Sequence, residues 1–120
     1  MADGPNVVLR YRNGSTSRAS LLDTDSEREV FRIAVDDGTK SEVPFGVLKA
    51  VFYPHAEAAE PEQAEGSQLA VEFADGEIIR GIAHYNPEKN GFFLFPLDRS
   101  KNDKVFVVNS AIVSIEVEKL

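Results

Sequence analysis

The chain has no cysteine and no tryptophan among its 120 residues. Without cysteine there is no disulfide framework, no thiolate metal site and no cysteine nucleophile. Without tryptophan, aromatic packing falls to eight Phe and three Tyr. Basic residues are also scarce: 13 Lys and Arg against 20 Asp and Glu leave a net charge of −7 and a pI near 4.8. Polyanions are held mainly by Lys and Arg neutralising phosphates, so this balance disfavours a nucleic-acid partner. No apolar run approaches the ~20 residues of a membrane helix. The opening Met-Ala-Asp-Gly-Pro has neither the basic nor the apolar region of a secretory signal. These absences set the expectation of no membrane association and a cytoplasmic setting.

Helical periodicity is missing too, and what replaces it is alternation. Leu9 and Tyr11 alternate with Arg10 and Arg12, Phe31 and Ile33 with Arg32 and Ala34, and Leu69, Val71 and Phe73 with Ala70, Glu72 and Ala74. A period of two marks half-buried strands. Turn residues punctuate the pattern at Asn13-Gly14, Asp36-Asp37-Gly38 and Asp75-Gly76. Such pairs accept positive φ, and Asn13-Gly14 predicts a type I′ hairpin. Asp23 to Glu29 reads as a charged connection, and Pro44 suggests an edge strand. Pro54 to Ser67 has no hydrophobic residue larger than Ala and carries four Glu. It reads as an acidic linker.

The halves on either side of that linker repeat one another. Placing Gly14 on Gly76 gives a shift of 76 − 14 = 62. At that shift Tyr11 meets Phe73, Arg18 meets Arg80, Ala19 meets Gly81, Phe31 meets Phe93 and Ile33 meets Phe95. After the third strand the shift becomes 64, so that Leu48 meets Ile112 and Val51 meets Ile115. The expected fold class is all-β: two tandem small barrels of about five strands each, packed together, over residues 1–53 and 68–120 with 54–67 as linker. A single unduplicated sandwich is the competing arrangement.

The second unit resembles the Sm-like family of small bent barrels, as in Sm, LSm and Hfq proteins. Phe73, Gly76, Ile79, Gly81 and Ala83 carry the resemblance, matching the hydrophobic and glycine spacing of that family's first motif. The resemblance implies that Gly81 permits a sharp bend in the second strand, in keeping with a strand-interior glycine. Other SH3-like barrels fit the same pattern. Val108, Asn109 and Ser110 stand where the family carries its basic RNA-binding residues, so the resemblance implies a fold more than an RNA-binding function. The whole chain also resembles tandem arrangements in uncharacterised bacterial proteins.

For chemistry, no P-loop, dinucleotide fingerprint or nucleophile elbow occurs. His55 and His84 fall on different units without a clear third ligand. Asp23-Thr24-Asp25-Ser26-Glu27 begins like a calcium loop but lacks its central Gly and closing Glu. The expectation is therefore no enzyme, no cofactor and no metal. Phe92 to Leu97 is apolar on both faces, which calls for a second partner beyond the strand's own barrel. Phe92, Leu94, Phe52 and Tyr53 are the candidate protein interface, facing the other unit, a second copy or an outside protein. Arg10, Arg12, Arg18 and Arg80 are a candidate anion-binding face. The leading expectation is a non-catalytic binding or adaptor module acting through protein contacts or self-association. A divergent Sm-like nucleic-acid binder, and a small-ligand carrier or enzyme with a site between the barrels, are the alternatives.

Overall fold

The computed structural model describes residues 6–35, 37–55 and 66–118. The alternating segments all become strands: β1 (Asn6–Tyr11), β2 (Thr16–Asp25), β3 (Val30–Ala34), β4 (Lys40–Pro44), β5 (Leu48–Pro54), β6 (Ser67–Phe73), β7 (Ile78–Ala83), β8 (Gly91–Pro96), β9 (Asn102–Val108) and β10 (Ile112–Val117). Single 3-10 turns precede the last strand of each half, at Phe45–Val47 and Asn109–Ala111. The protein is all-β, as the alternation predicts. Most of the expected linker, Pro54 to Ser67, lies outside the described residues.

The strands form one ten-stranded antiparallel sheet in the order β10-β6-β7-β8-β9-β5-β1-β2-β3-β4. Each half follows the same internal order, with its fifth strand beside its first and its fourth at the far end. The halves join where β5 pairs with β9, Ala50 opposite Val107 and Phe52 opposite Val105. The sheet does not close, and it ends at β4 and β10.

That junction explains where the apolar residues go. One core gathers Leu9, Phe31, Ile33, Phe45 and Val51 from the first half, with Phe106 and Val108 from the second. The other gathers Leu69, Val71, Phe73, Phe92, Leu94, Val105 and Val107, with Ala50 from the first half. β9 thus sends alternate side chains to different cores, and β5 does the same through Ala50 and Val51. Strands buried on both faces read as continuous hydrophobic runs for this reason.

Three expectations need correction. The Asn-Gly and Asp-Gly turns are not type I′, which requires two positive φ values. Only Gly14, Gly38 and Gly76 have positive φ at these turns (92°, 85° and 89°). The N–H of Gly14 bonds the Tyr11 carbonyl and that of Tyr11 the Ser15 carbonyl, the pattern of a type I turn followed by a glycine bulge. The Asn13, Asp37 and Asp75 side chains accept from the backbone N–H two residues on, at 2.9, 2.9 and 3.0 Å, and this favours the geometry found. Second, the charged run is strand as far as Asp25, and only residues 26–29 form the expected turn. Arg32 on β3 reaches Asp23 at 2.7 Å, Asp25 at 3.4 Å and Glu42 on β4 at 3.2 Å, so ion pairs replace apolar contacts across this end of the sheet. Third, the repeat slips by one residue at β8. Phe92 and Leu94, not Phe93 and Phe95, occupy the core places that Phe31 and Ile33 hold in the first half, a shift of 92 − 31 = 61.

Gly81 has a steric reason to be glycine. A Cβ there would lie 2.4 Å from both Leu94 Cδ2 and the Phe95 carbonyl oxygen. The close approach of β7 and β8 leaves no room for a side chain.

Candidate functional site: the cleft between the halves

Phe92 and Leu94 are buried at 7% and 0% exposure in the second core and offer no outward face. The other face of β8 carries Phe93, 40% exposed. Its ring lies edge-on to Phe106 at 5.3 Å and to Tyr53 at 5.8 Å, and Lys104 Nζ sits 4.7 Å from its centroid. The second partner that this strand calls for is therefore partly supplied inside the chain by the first half. Tyr53 belongs to the first core, and Phe52 packs against the second.

The four arginines do not make a common free face. Arg10 donates both ways to the Glu77 carboxylate, at 3.1 and 2.9 Å, and stacks over Phe52 at 4.5 Å. Arg12 donates to the carbonyls of Leu48 and Phe45 and, at 2.5 Å, to Ser110 Oγ. Arg80 lies 3.5 Å from Glu118, and Arg18 is exposed on β2. Of the histidines, His55 bonds Asp103 at 2.8 Å while His84 is exposed. No group of three His, Asp or Glu residues is arranged to hold a metal ion among the described residues.

Two features that the alternation did not single out sit at the junction. The first is Lys49, only 6% exposed near the start of β5. Its ammonium lies over the Phe73 ring at 4.9 Å, bonds Asp75 at 2.8 Å and contacts Glu77. The Lys49 hydrogen bond, reinforced by the Glu77 backbone N–H, holds the Asp75 carboxyl below its ordinary range. The turn that opens β7 is thus fastened to the first half by charge. A lysine inside Val47-Leu48-Lys49-Ala50-Val51 was the one available signal, since an apolar strand keeps a cation only where a carboxylate meets it.

The second is a cleft of about 390 Å³ with walls from both halves. The first half contributes Phe45, Gly46 and Glu29; the second contributes Tyr85, Pro87, Lys89, Asn90 and the 3-10 turn at Asn109. Asn90 Nδ2 bridges the halves by donating to the Ser26 carbonyl at 2.7 Å. Asn109 Nδ2 gathers the β7–β8 loop through the carbonyls of Asn86 (3.0 Å) and Lys89 (2.7 Å). Its Oδ1 is buried and has no donor, a rare condition for an amide oxygen. Glu29 has φ 56°, the only positive φ outside glycine among the described residues, while its carbonyl accepts from the Phe45 N–H at 2.8 Å. A positive φ is uncommon outside glycine, and here it closes the turn at residues 26–29 that leads into β3.

The described residues thus form an open ten-stranded antiparallel sheet with a cleft at the junction of its halves. The family follows: residues 4–119 match a family of unknown function (DUF6982), and the chain belongs to it. No curated protein and no solved structure matches the chain. Among the described residues, no helix is long and apolar enough to cross a membrane.

Proposed function

We propose that the chain is a non-catalytic binding module, two Sm- or SH3-like barrels fused through β5 and β9, acting in the cytoplasm through contacts with protein. The partner presents an extended segment to the cleft between the halves. The observation that carries this reading is the cleft itself, which neither half builds alone. Its wall mixes the apolar faces of Phe45, Tyr85 and Pro87 with Glu29, Lys89 and two side-chain amides. That mixture suits a peptide, whose backbone needs polar partners and whose side chains need apolar ones.

A selection of displayed peptides against the purified protein tests the proposal. Binders are expected whose affinity drops about tenfold or more on Tyr85→Ala or Lys89→Ala but not on Arg18→Ala. A selection returning no peptide dependent on Tyr85 or Lys89 sinks it.

The cleft volume also favours a second reading, a small-ligand carrier, since it lies within the range of about 300–1,000 Å³ typical of such sites. A small-molecule thermal-shift screen separates the two. Hits abolished by Tyr85→Ala, together with a failed peptide selection, would transfer the site to a ligand. Titration with short single-stranded RNA at low salt addresses the nucleic-acid alternative, for which Arg10, Arg12 and Arg80 would each have to leave a present partner.

A further inference from the structure

The sheet's two free edges differ in chemistry. β4 reads Lys40-Ser41-Glu42-Val43-Pro44; it carries a cation, an anion and a residue with no N–H. Glu42 is held by Arg28 at 3.4 Å and Arg32 at 3.2 Å. These are the devices that keep an edge from pairing. β10 reads Ile112-Val113-Ser114-Ile115-Glu116-Val117, with one charge and no proline. Val113 and Val117 are 62% and 64% exposed on it.

Among the described residues, nothing pairs with the backbone of β10 on that side. Glu118 N–H donates inward to the Gln68 carbonyl at 2.8 Å. In an antiparallel ladder the direction alternates, so Glu116 turns toward β6 while Ile115 and Val117 turn their N–H and C=O groups to the open edge.

We propose that β10 pairs antiparallel with β10 of a second copy, giving a two-fold dimer centred on Ile115. In that register Ile115 meets its own counterpart. Ser114 meets Glu116 of the second copy, a hydroxyl opposite a carboxylate. No like charges stand directly across. Val113 is the bulged residue of β10, so the regular ladder runs from Ser114 to Val117 and the outward groups of Ile115 find their partners on its own counterpart, as an isologous interface requires.

The chain already contains a pairing of this kind. β5, the counterpart of β10 in the first half, has the equivalent edge covered by β9. Head-to-tail pairing of β10 with β4 of another copy would copy that junction but fails in its side chains. At the shift of 64, Glu42 and Pro44 would stand where Phe106 and Val108 complete the first core (106 − 42 = 64, 108 − 44 = 64). This proposal is independent of the cleft reading, since none of the β10 residues lines that cleft.

Sedimentation velocity over a dilution series tests it. The wild type is expected at twice the 13.2 kDa chain mass, with a melting midpoint that rises with concentration. Val113→Lys/Val117→Lys, altered only at exposed positions, is expected to weaken association about tenfold or more and to melt at a concentration-independent temperature. The register is read by cysteine pairing, since the chain has none of its own. In the non-hydrogen-bonded positions 114 and 116, Cα atoms of facing residues lie about 4.5 Å apart, within disulfide reach. Mixed Ser114→Cys and Glu116→Cys proteins should cross-link under oxidation far more than either alone. A monomeric wild type overturns the proposal, as does a dimer indifferent to the lysine pair. Assembly lost on Lys40→Pro, which removes an N–H from the open edge of β4 and none from the β3–β4 ladder, overturns it in favour of head-to-tail pairing.

Discussion

Lys49 shows how one side chain couples the halves. Its stem is buried beside Phe73, and its ammonium answers the carboxylates of Asp75 and Glu77. Because Lys49 and then the Glu77 N–H lower the Asp75 value from 3.8, the folded state holds the ionised form more tightly than the unfolded chain does. The resulting stabilisation is fully present above pH 3.8 and is lost as pH falls through the lower folded value. The urea midpoint of the wild type should therefore fall below that pH, and Lys49→Met should flatten this part of the profile. An unchanged profile would separate Asp75 from the junction's stability. Phe92 and Phe93 form a second residue-scale comparison. Phe92→Ala should cost about 3–5 kcal/mol in chemical denaturation. Phe93→Ala should cost about 1–2 kcal/mol, since its ring is only partly withdrawn from water. Equal losses would contradict the assignment of faces on β8.

Among the elements, the hairpin turns and the close approach of β7 to β8 govern register. Gly76→Ala places a Cβ at φ 89°, where nothing crowds it, so its cost is the left-handed backbone alone, about 1–2 kcal/mol. Gly81→Ala should cost more, because its Cβ meets the Phe95 backbone at 2.4 Å as well as Leu94. Thermal denaturation of the two variants should rank them in that order. Turn positions were legible because glycine and Asx residues act locally, whereas the crowding at Gly81 comes from Leu94 and Phe95 on the neighbouring strand. The one-residue slip at β8 was not legible: Phe92, Phe93, Leu94 and Phe95 are all apolar, so alternation gives no sign of which pair faces the core. The extension of β2 through Asp25 was hidden for a related reason. Arg32, Asp23, Asp25 and Glu42 stabilise the ladder by charge, which a hydrophobic pattern does not register.

On the scale of the whole molecule, the shared cores make the halves one cooperative unit. The first core takes Phe106 and Val108 from β9, and the second takes Ala50 from β5. Hydrogen exchange should give β1–β3 and β6–β8 the same opening free energy, and Phe106→Ala should lower both together. Loss confined to β1–β3 would mean that the halves unfold separately. The molecule spans 45 × 32 × 25 Å, and the cleft lies across the junction rather than within either half. A candidate site of this kind depends on residues as distant as Phe45 and Asn109, which no local motif connects.

Local pattern was enough for the all-β class, the strands and the hairpin-turn positions. Each depends on period-two alternation or on residues whose backbone preferences act within a few positions. Tertiary structure alone decided that β5 and β9 fuse the halves into one sheet and that Phe93 meets Tyr53. It also decided that Lys49 finds Asp75, and that a cleft opens between Phe45 and Tyr85. Those outcomes depend on which strand edges meet, a choice made by packing between residues far apart in the chain.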